Sequence, residues 1–201
     1  VGSKWIIEPE THKRLPKDHP LPTFEVFGSN KYVDEARHYI DKNFTDNPGN
    51  GDAFCWATNQ QEAADWLESF VNDRLDDYGT FKDALDGHAP WVYHSALSPA
   101  LNIGLLTPQQ VVAAALARHQ KKPVELVSLE SFIRGVLGLR EYIRGMYVTK
   151  GVTLRTSNPF EHKRQLTQDW YAGTTGLPPV DDAIKKVYER AYLHHSERLM
   201  V

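Results

Sequence analysis

The chain has 201 residues, with 23 Lys and Arg against 26 Asp and Glu and a formal net charge of −3. That near-balance excludes a polybasic coat for nucleic acid or membrane surfaces, while leaving room for a local basic groove. The single cysteine, Cys55, excludes an intrachain disulfide and any site built on several cysteines, so no iron–sulfur cluster is expected. With 41% hydrophobic and 24% charged residues, the composition is that of an ordinary soluble chain. The longest unbroken apolar run, Val111 to Ala117, is too short to span a bilayer. Val1-Gly2-Ser3-Lys4-Trp5 opens without a signal-peptide core, so the expectation is a cytoplasmic protein with no membrane partner.

In chain order, residues 1–57 read as an extended linker or strap carrying one short helix. Their early part is dense in Pro, His and Lys, from Pro9 to Pro22. Periodic apolar positions begin only at Val33 to Ile40, and Asp46 to Asp52 is a turn-rich loop. From residue 58 to 201 the pattern is helical. Thr58 with Gln61 fits a capping box, followed by Ala63, Trp66, Leu67, Phe70, Val71 and Leu75 at helical spacing as far as Tyr78-Gly79. Thr107-Pro108 opens a second helix. Ser128 is expected to cap a long one running through Phe132, Val136 and Ile143 to Tyr147, and Pro179 to open the last. The final residues, Tyr192 to Val201, remain in helical rhythm when the chain stops, which points to a chain cut inside a larger domain. No run alternates as a strand does, so the fold class is all-α.

Four stretches could carry chemistry. Ser95 and Ser98, three apart and just before Pro99, could form an anion cradle at a helix start, although simple N-capping is the blander reading. Gly135 and Gly138 sit inside a helical pattern, where each costs about 1 kcal/mol against Ala. They therefore mark either helix–helix packing or the close approach of a ligand. Arg140 and Arg144 share one face of that helix. His194-His195 lie side by side; on a helix they would point about 100° apart, which argues against a shared metal ion. The stretch from Tyr171 to Ile184 reads locally as no more than a turn feeding a helix.

Taken together and in order, these stretches resemble the photolyase/cryptochrome flavoproteins. His94 to Asn102, Phe132 to Tyr147 and Ala191 to Val201 are most similar to the prokaryotic branch of iron–sulfur bacterial cryptochromes and (6-4) photolyases. The resemblance covers roughly residues 56 to 201, with Trp5 to Ile40 as the linker from an antenna domain that is absent. It implies a helical FAD-binding domain of photolyase/cryptochrome type, incomplete at its C-terminus. It assigns His94, Ser95, Ala96, Leu97, Ser98, Asn102, Phe132, Arg140 and Arg198 to FAD binding. Arg140 and Arg144 are assigned to DNA phosphates, which makes UV-damaged DNA the implied partner. His195, with His194 beside it, takes the catalytic place next to the lesion, where a histidine assists repair by proton transfer. No metal site is implied.

The departures from the branch pattern are specific. Gly135 and Leu139 stand where the branch carries Gln and Trp, and Asp182 stands at the position of a cluster-ligating cysteine. These changes leave an alternative of another class: a degenerate photolyase-like module without flavin, binding protein or nucleic acid. The expected function is light-driven electron transfer, for DNA photoproduct repair or blue-light sensing.

Overall fold

A computed structural model of the chain describes residues 13–24, 27–49, 51–89 and 91–201; Trp5, Pro9 and His12 lie outside the described residues. Every regular element among these residues is a helix. Helix α1, Lys31–Asn43, is capped by Asn30, whose side chain accepts from the Tyr32 and Val33 amides, and it buries only Val33. Helix α2, Gln60–Asp73, starts one residue away from the expected box. Asn59 is its cap and accepts from the Glu62 amide, while the Glu62 carboxylate reaches back to the Thr58 amide and hydroxyl.

The continuous helix expected up to Tyr78 is broken. Arg74, at φ −126°, separates α2 from α3, Leu75–Phe81. The break turns Arg74 inward, where it is 1% exposed, and the apolar rhythm crosses the kink because both short helices face one core. Helix α4 is Ser98–Asn102, and α5 is Pro108–Lys121 with the full Thr107–Gln110 capping box. Helix α6, Leu126–Thr156, begins before Ser128 and has no side-chain cap. Ser128 serves a different purpose. Its hydroxyl donates to the Asp76 carbonyl at 2.8 Å and accepts from the Gly79 amide at 2.9 Å, clipping α6 to α3.

Helix α7, Gln168–Ala172, ends at Gly173 in the left-handed region, and α8 is Pro178–Arg190. The terminal rhythm is not one helix. Ala191, at φ +52°, stops α8, and α9 restarts at His195–Met200 with His194 as its cap. Left-handed backbone at a non-glycine residue is costly, so the chain reverses here only because contacts on both sides hold it.

The core sits between α2, α3, α5 and the first half of α6, where Ala63, Phe70, Leu75, Val111 and Ala115 are fully buried. Phe70, Tyr78 and Phe132 form an aromatic triangle with ring centroids 4.8–5.8 Å apart. Such pairs add about 0.5–1.5 kcal/mol each beyond burial. Trp56, Trp66 and Trp91 make a second triangle at 5.8–6.0 Å. Residues 13–24 lie over Phe81 and Tyr93, where His19 packs, and end at this triangle, with the Phe24 ring between Trp91 and the Arg74 guanidinium. The second half of α6 leaves this core and exposes Leu139, Tyr142, Ile143, Tyr147 and Val152. No helix among the described residues is long and apolar enough to cross a membrane.

Candidate functional site

The segment from Trp91 to Ser98 is held in a strained shape. Val92 and Ala96 have φ of +42° and +51°, a region that costs non-glycine residues about 1–3 kcal/mol each. Two buried donors pin it from behind. Trp66 Nε1 donates to the Ser95 carbonyl at 2.9 Å, and Arg74 donates to the His94 carbonyl at 3.3 Å. The Arg74 guanidinium lies 4.2 Å from the Phe24 ring centre, and burial lowers its pKa to about 10.

Pinned this way, residues 95–102 form one wall of a cleft whose other wall is α6. The larger chamber, about 560 Å³, is lined by Ser95, Leu97, Ser98, Asn102 and Leu101 on one side. Phe132, Gly135, Leu139, Arg140, Ile143 and Arg144 line the other. A smaller chamber of about 270 Å³ adjoins it, lined by His94, Ala96, Asp83, His194, His195 and Arg198. Tyr78, Ser95, Ser98 and Gly135 border both, so the two chambers are neighbours across these four residues. Volumes of this size and mixed lining suit a small-molecule or cofactor site.

The capping reading of the two serines does not hold. Leu97, not Ser98, is the cap of α4, and no side chain caps that helix. Ser98 is its first residue and is exposed to the cleft. The glycine reading resolves as well. A Cβ on Gly135 or Gly138 would meet nothing within 4 Å, so no helix packs against either one among the described residues. Gly135 instead leaves α6 bare where the chambers meet.

The histidine geometry departs from the helical expectation. His194 is not helical: as the α9 cap, at φ −61° and ψ 152°, it points its ring back toward His195, with centroids 4.0 Å apart. Both Nε2 atoms stand 3.7 Å from Asp83 Oδ1, so the pair converges on one carboxylate rather than diverging. His194 also stacks on His94 at 4.6 Å, 18° from parallel. Burial, with His194 beside it, lowers the His94 pKa to about 3 and keeps that ring neutral. Burial likewise raises the Tyr192 phenol above its ordinary range, and its hydroxyl pairs with His94 Nδ1 at 2.9 Å. Burial also lowers the His194 pKa, whereas His195 is 58% exposed at the chamber mouth.

Behind the histidines, Glu197 accepts from the His194 amide at 3.0 Å and from Lys186 Nζ at 3.0 Å. Lys186 also pairs with Asp182 at 2.7 Å. Burial opposes the Lys186 charge, but the two carboxylates outweigh it and hold the pKa above its usual value. Asp181 organises the turn ahead of α8, accepting from the Thr175 hydroxyl and from the Thr175 and Gly176 amides.

The sequence-selected residues thus fall into two groups. Asn102, Phe132, Arg140 and Arg144 line the large chamber, while His94, Ala96, His194, His195 and Arg198 line the small one. Phe132 doubles as a core residue, 3% exposed. Tyr78, Asp83, Tyr192 and Lys186 escaped sequence reading. Tyr78 and Tyr192 read only as apolar beats in a helix, and nothing local links Asp83 or Lys186 to residues more than ten positions away.

No family model matches the chain. The (6-4) photolyase of Agrobacterium fabrum is 33% identical over 201 residues, covering all of this chain and 40% of that protein. The chain belongs to the photolyase/cryptochrome family. The deoxyribodipyrimidine photo-lyase of Vibrio cholerae matches 75% of the chain at 29% identity, over 32% of its own length. Cryptochrome-2 of Arabidopsis thaliana matches 73% at 25% identity, over 25% of its length. The chain therefore spans well under half of the photolyases and cryptochromes it matches. Its all-helical structure agrees with the helical FAD-binding domain of that family. At the position where the family branch resemblance places a cluster cysteine, Asp182 is engaged by Lys186.

Proposed function

We propose that this chain is the flavin-holding helical part of a photolyase/cryptochrome-type protein, with FAD in the larger chamber and a DNA photoproduct received at the smaller one. The observation that carries the reading is the pair of neighbouring chambers with Ser95 and Ser98 on the border of both and no capping duty on Ser98. The donor set fits the group. Two hydroxyls, the Asn102 amide and the Arg140 guanidinium suit phosphate oxygens, and Leu97, Leu101, Phe132 and Ile143 offer apolar surface to a ring system. When bound and reduced, FAD supplies light-driven electron donation, which no side chain of this chain can provide.

The protein's own work is binding, orientation and proton supply. Ser95 and Ser98 donate to phosphate, and the strained backbone from Val92 to Ala96 fixes where they stand. Arg140 and Arg144, exposed on α6, meet DNA phosphates at the rim. Arg198 adds a guanidinium to the lining of the small chamber. His195, at the mouth beside the Asp83 carboxylate, delivers a proton to the photoproduct. Gly135 and Leu139 offer neither an amide nor an aromatic wall to a flipped base, so repair here depends more heavily on the histidine side of the cleft.

The test is an absorbance spectrum in the near-ultraviolet and blue, taken with and without added FAD and again after gel filtration. Flavin bands that travel with the chain are expected. A chain that stays colourless with excess FAD, and in its longest natural reading frame as well, would overturn the proposal.

A further inference from the structure

We infer that Lys186 is a positioning residue for the His194–His195 pair, acting through Glu197; the inference deepens the functional reading above and takes its catalytic meaning from it. Helix α9 has six residues, too few to stay helical by itself in water. It follows α8 after a reversal at Ala191, so something must fix its first turn. Glu197 does so with both oxygens. Oε2 accepts the His194 amide and closes the capping box, and Oε1 accepts from Lys186 Nζ.

Glu197 is 6% exposed, and a carboxylate that deep persists only when paired and hydrogen-bonded. Lys186 is its one cationic partner in the structure's described ion pairs. The ammonium is in turn fixed to its own helix by Asp182, one turn earlier. Asp182, Lys186, Glu197 and the His194 amide thus form one line of charge-assisted hydrogen bonds from α8 to the cap of α9. At its far end, the His194 ring is stacked on His94, and both histidine Nε2 atoms face Asp83. Lys186 lines neither chamber, so it reaches the cleft only through this line. Without the ammonium, Glu197 takes up a proton or turns toward water. Either response weakens the bond to the His194 amide and frees the two histidines from their places opposite Asp83.

The experiment compares Lys186→Met and Lys186→Arg in the 201-residue chain, following the imidazole NMR signals of His194 and His195 through a pH titration. In Lys186→Met both sets of signals are expected to move toward unstructured-peptide positions. Lys186→Arg is expected to restore them. Val180, Ala183 and Ile184 anchor α8 independently, so the helical circular dichroism should be retained. A folded Lys186→Met protein with unchanged histidine signals overturns the inference, as does an Arg variant that fails to rescue. If Lys186→Met does not fold, Glu197→Ala decides, because displaced signals support the relay and unmoved signals refute it. In the Glu197→Ala background, Lys186→Met should add no further displacement. Flavin uptake is recorded in parallel. Its absence in the unmodified chain would sink the cofactor reading without touching the histidine result, which is read without cofactor.

Discussion

Gly79 and Ser128 meet at a distance no other residue at position 79 would allow: a Cβ on Gly79 would lie 2.7 Å from the Ser128 backbone nitrogen. The same approach lets the Gly79 amide donate to the Ser128 hydroxyl at 2.9 Å, and it sets the height of α6 over α3. The obstacle is backbone, which cannot step aside as a side-chain end can. Gly79→Ala is therefore expected to destabilise the chain by about 1–3 kcal/mol, the usual range for overpacking. Gly138, on the open part of α6, gives the opposite sign. Nothing stands within 4 Å of a Cβ there, so Gly138→Ala should stabilise by about 0.5–1 kcal/mol. Urea unfolding of both variants checks the pair, and equal effects would contradict the packing described.

Ser98 separates a structural from a binding role. Its hydroxyl caps nothing, so Ser98→Ala should leave the unfolding midpoint unchanged. A hydrogen bond to a charged phosphate contributes about 1.5–3 kcal/mol, which corresponds to roughly 10- to 100-fold weaker flavin retention on its loss. Equilibrium dialysis against FAD measures this. Full retention in a stable variant would remove Ser98 from the cofactor site.

His94 makes stability depend on pH in a definite direction. Its pKa falls from 6.5 to about 3 on folding, chiefly through burial. Below pH 6.5 the unfolded chain takes up a proton that the folded chain refuses. Stability is therefore full above pH 6.5 and declines as pH falls toward 3, at up to about 1.4 kcal/mol per pH unit. His194 is shifted in the same direction and steepens the fall. The lowered pKa values of Glu62 and Asp181, whose ordinary values are 4.5 and 3.8, act only below this window's upper part. Thermal unfolding between pH 7 and about 5 should thus show a decline that His94→Gln flattens.

The legible and illegible parts of this structure divide along the range of the forces involved. The Thr107 cap with Pro108 behind it, the proline opening of α8 and the apolar spacing of α2 are local and were legible, whereas the reciprocal Gln110 half of the Thr107 box was not singled out. The break at Arg74 was not, because the cause is tertiary: a buried guanidinium finds the His94 carbonyl and the Phe24 face only after the chain folds. Ser128 was misread for a similar reason, since a hydroxyl near a helix start looks like a cap whether its partner is local or on α3. The serine loop and the arginine face were found as motifs, but nothing in their spacing showed that Gly135 and Tyr78 join the two chambers. The convergence of His194 and His195 depended on a left-handed residue, Ala191, in a stretch whose rhythm argued for an unbroken helix.

That reversal also distinguishes the two histidines. His194 is 6% exposed, caps α9, stacks on His94 and accepts from the Ser196 amide, so it is part of the frame. His195 is 58% exposed and its ring lies against Asp83, His194 and Ser196, so its removal leaves the frame standing. On the functional reading proposed above, His195→Ala in the longest natural reading frame should keep its unfolding midpoint and flavin content while light-driven photoproduct repair drops by the factor of about 10²–10⁴ typical of a lost general acid. His194→Ala should lower both stability and repair, because the α9 start and the His94 stack go with it. Repair assays under blue light, run beside flavin absorbance on the same samples, separate these outcomes. Unimpaired repair in His195→Ala would remove His195 from the mechanism.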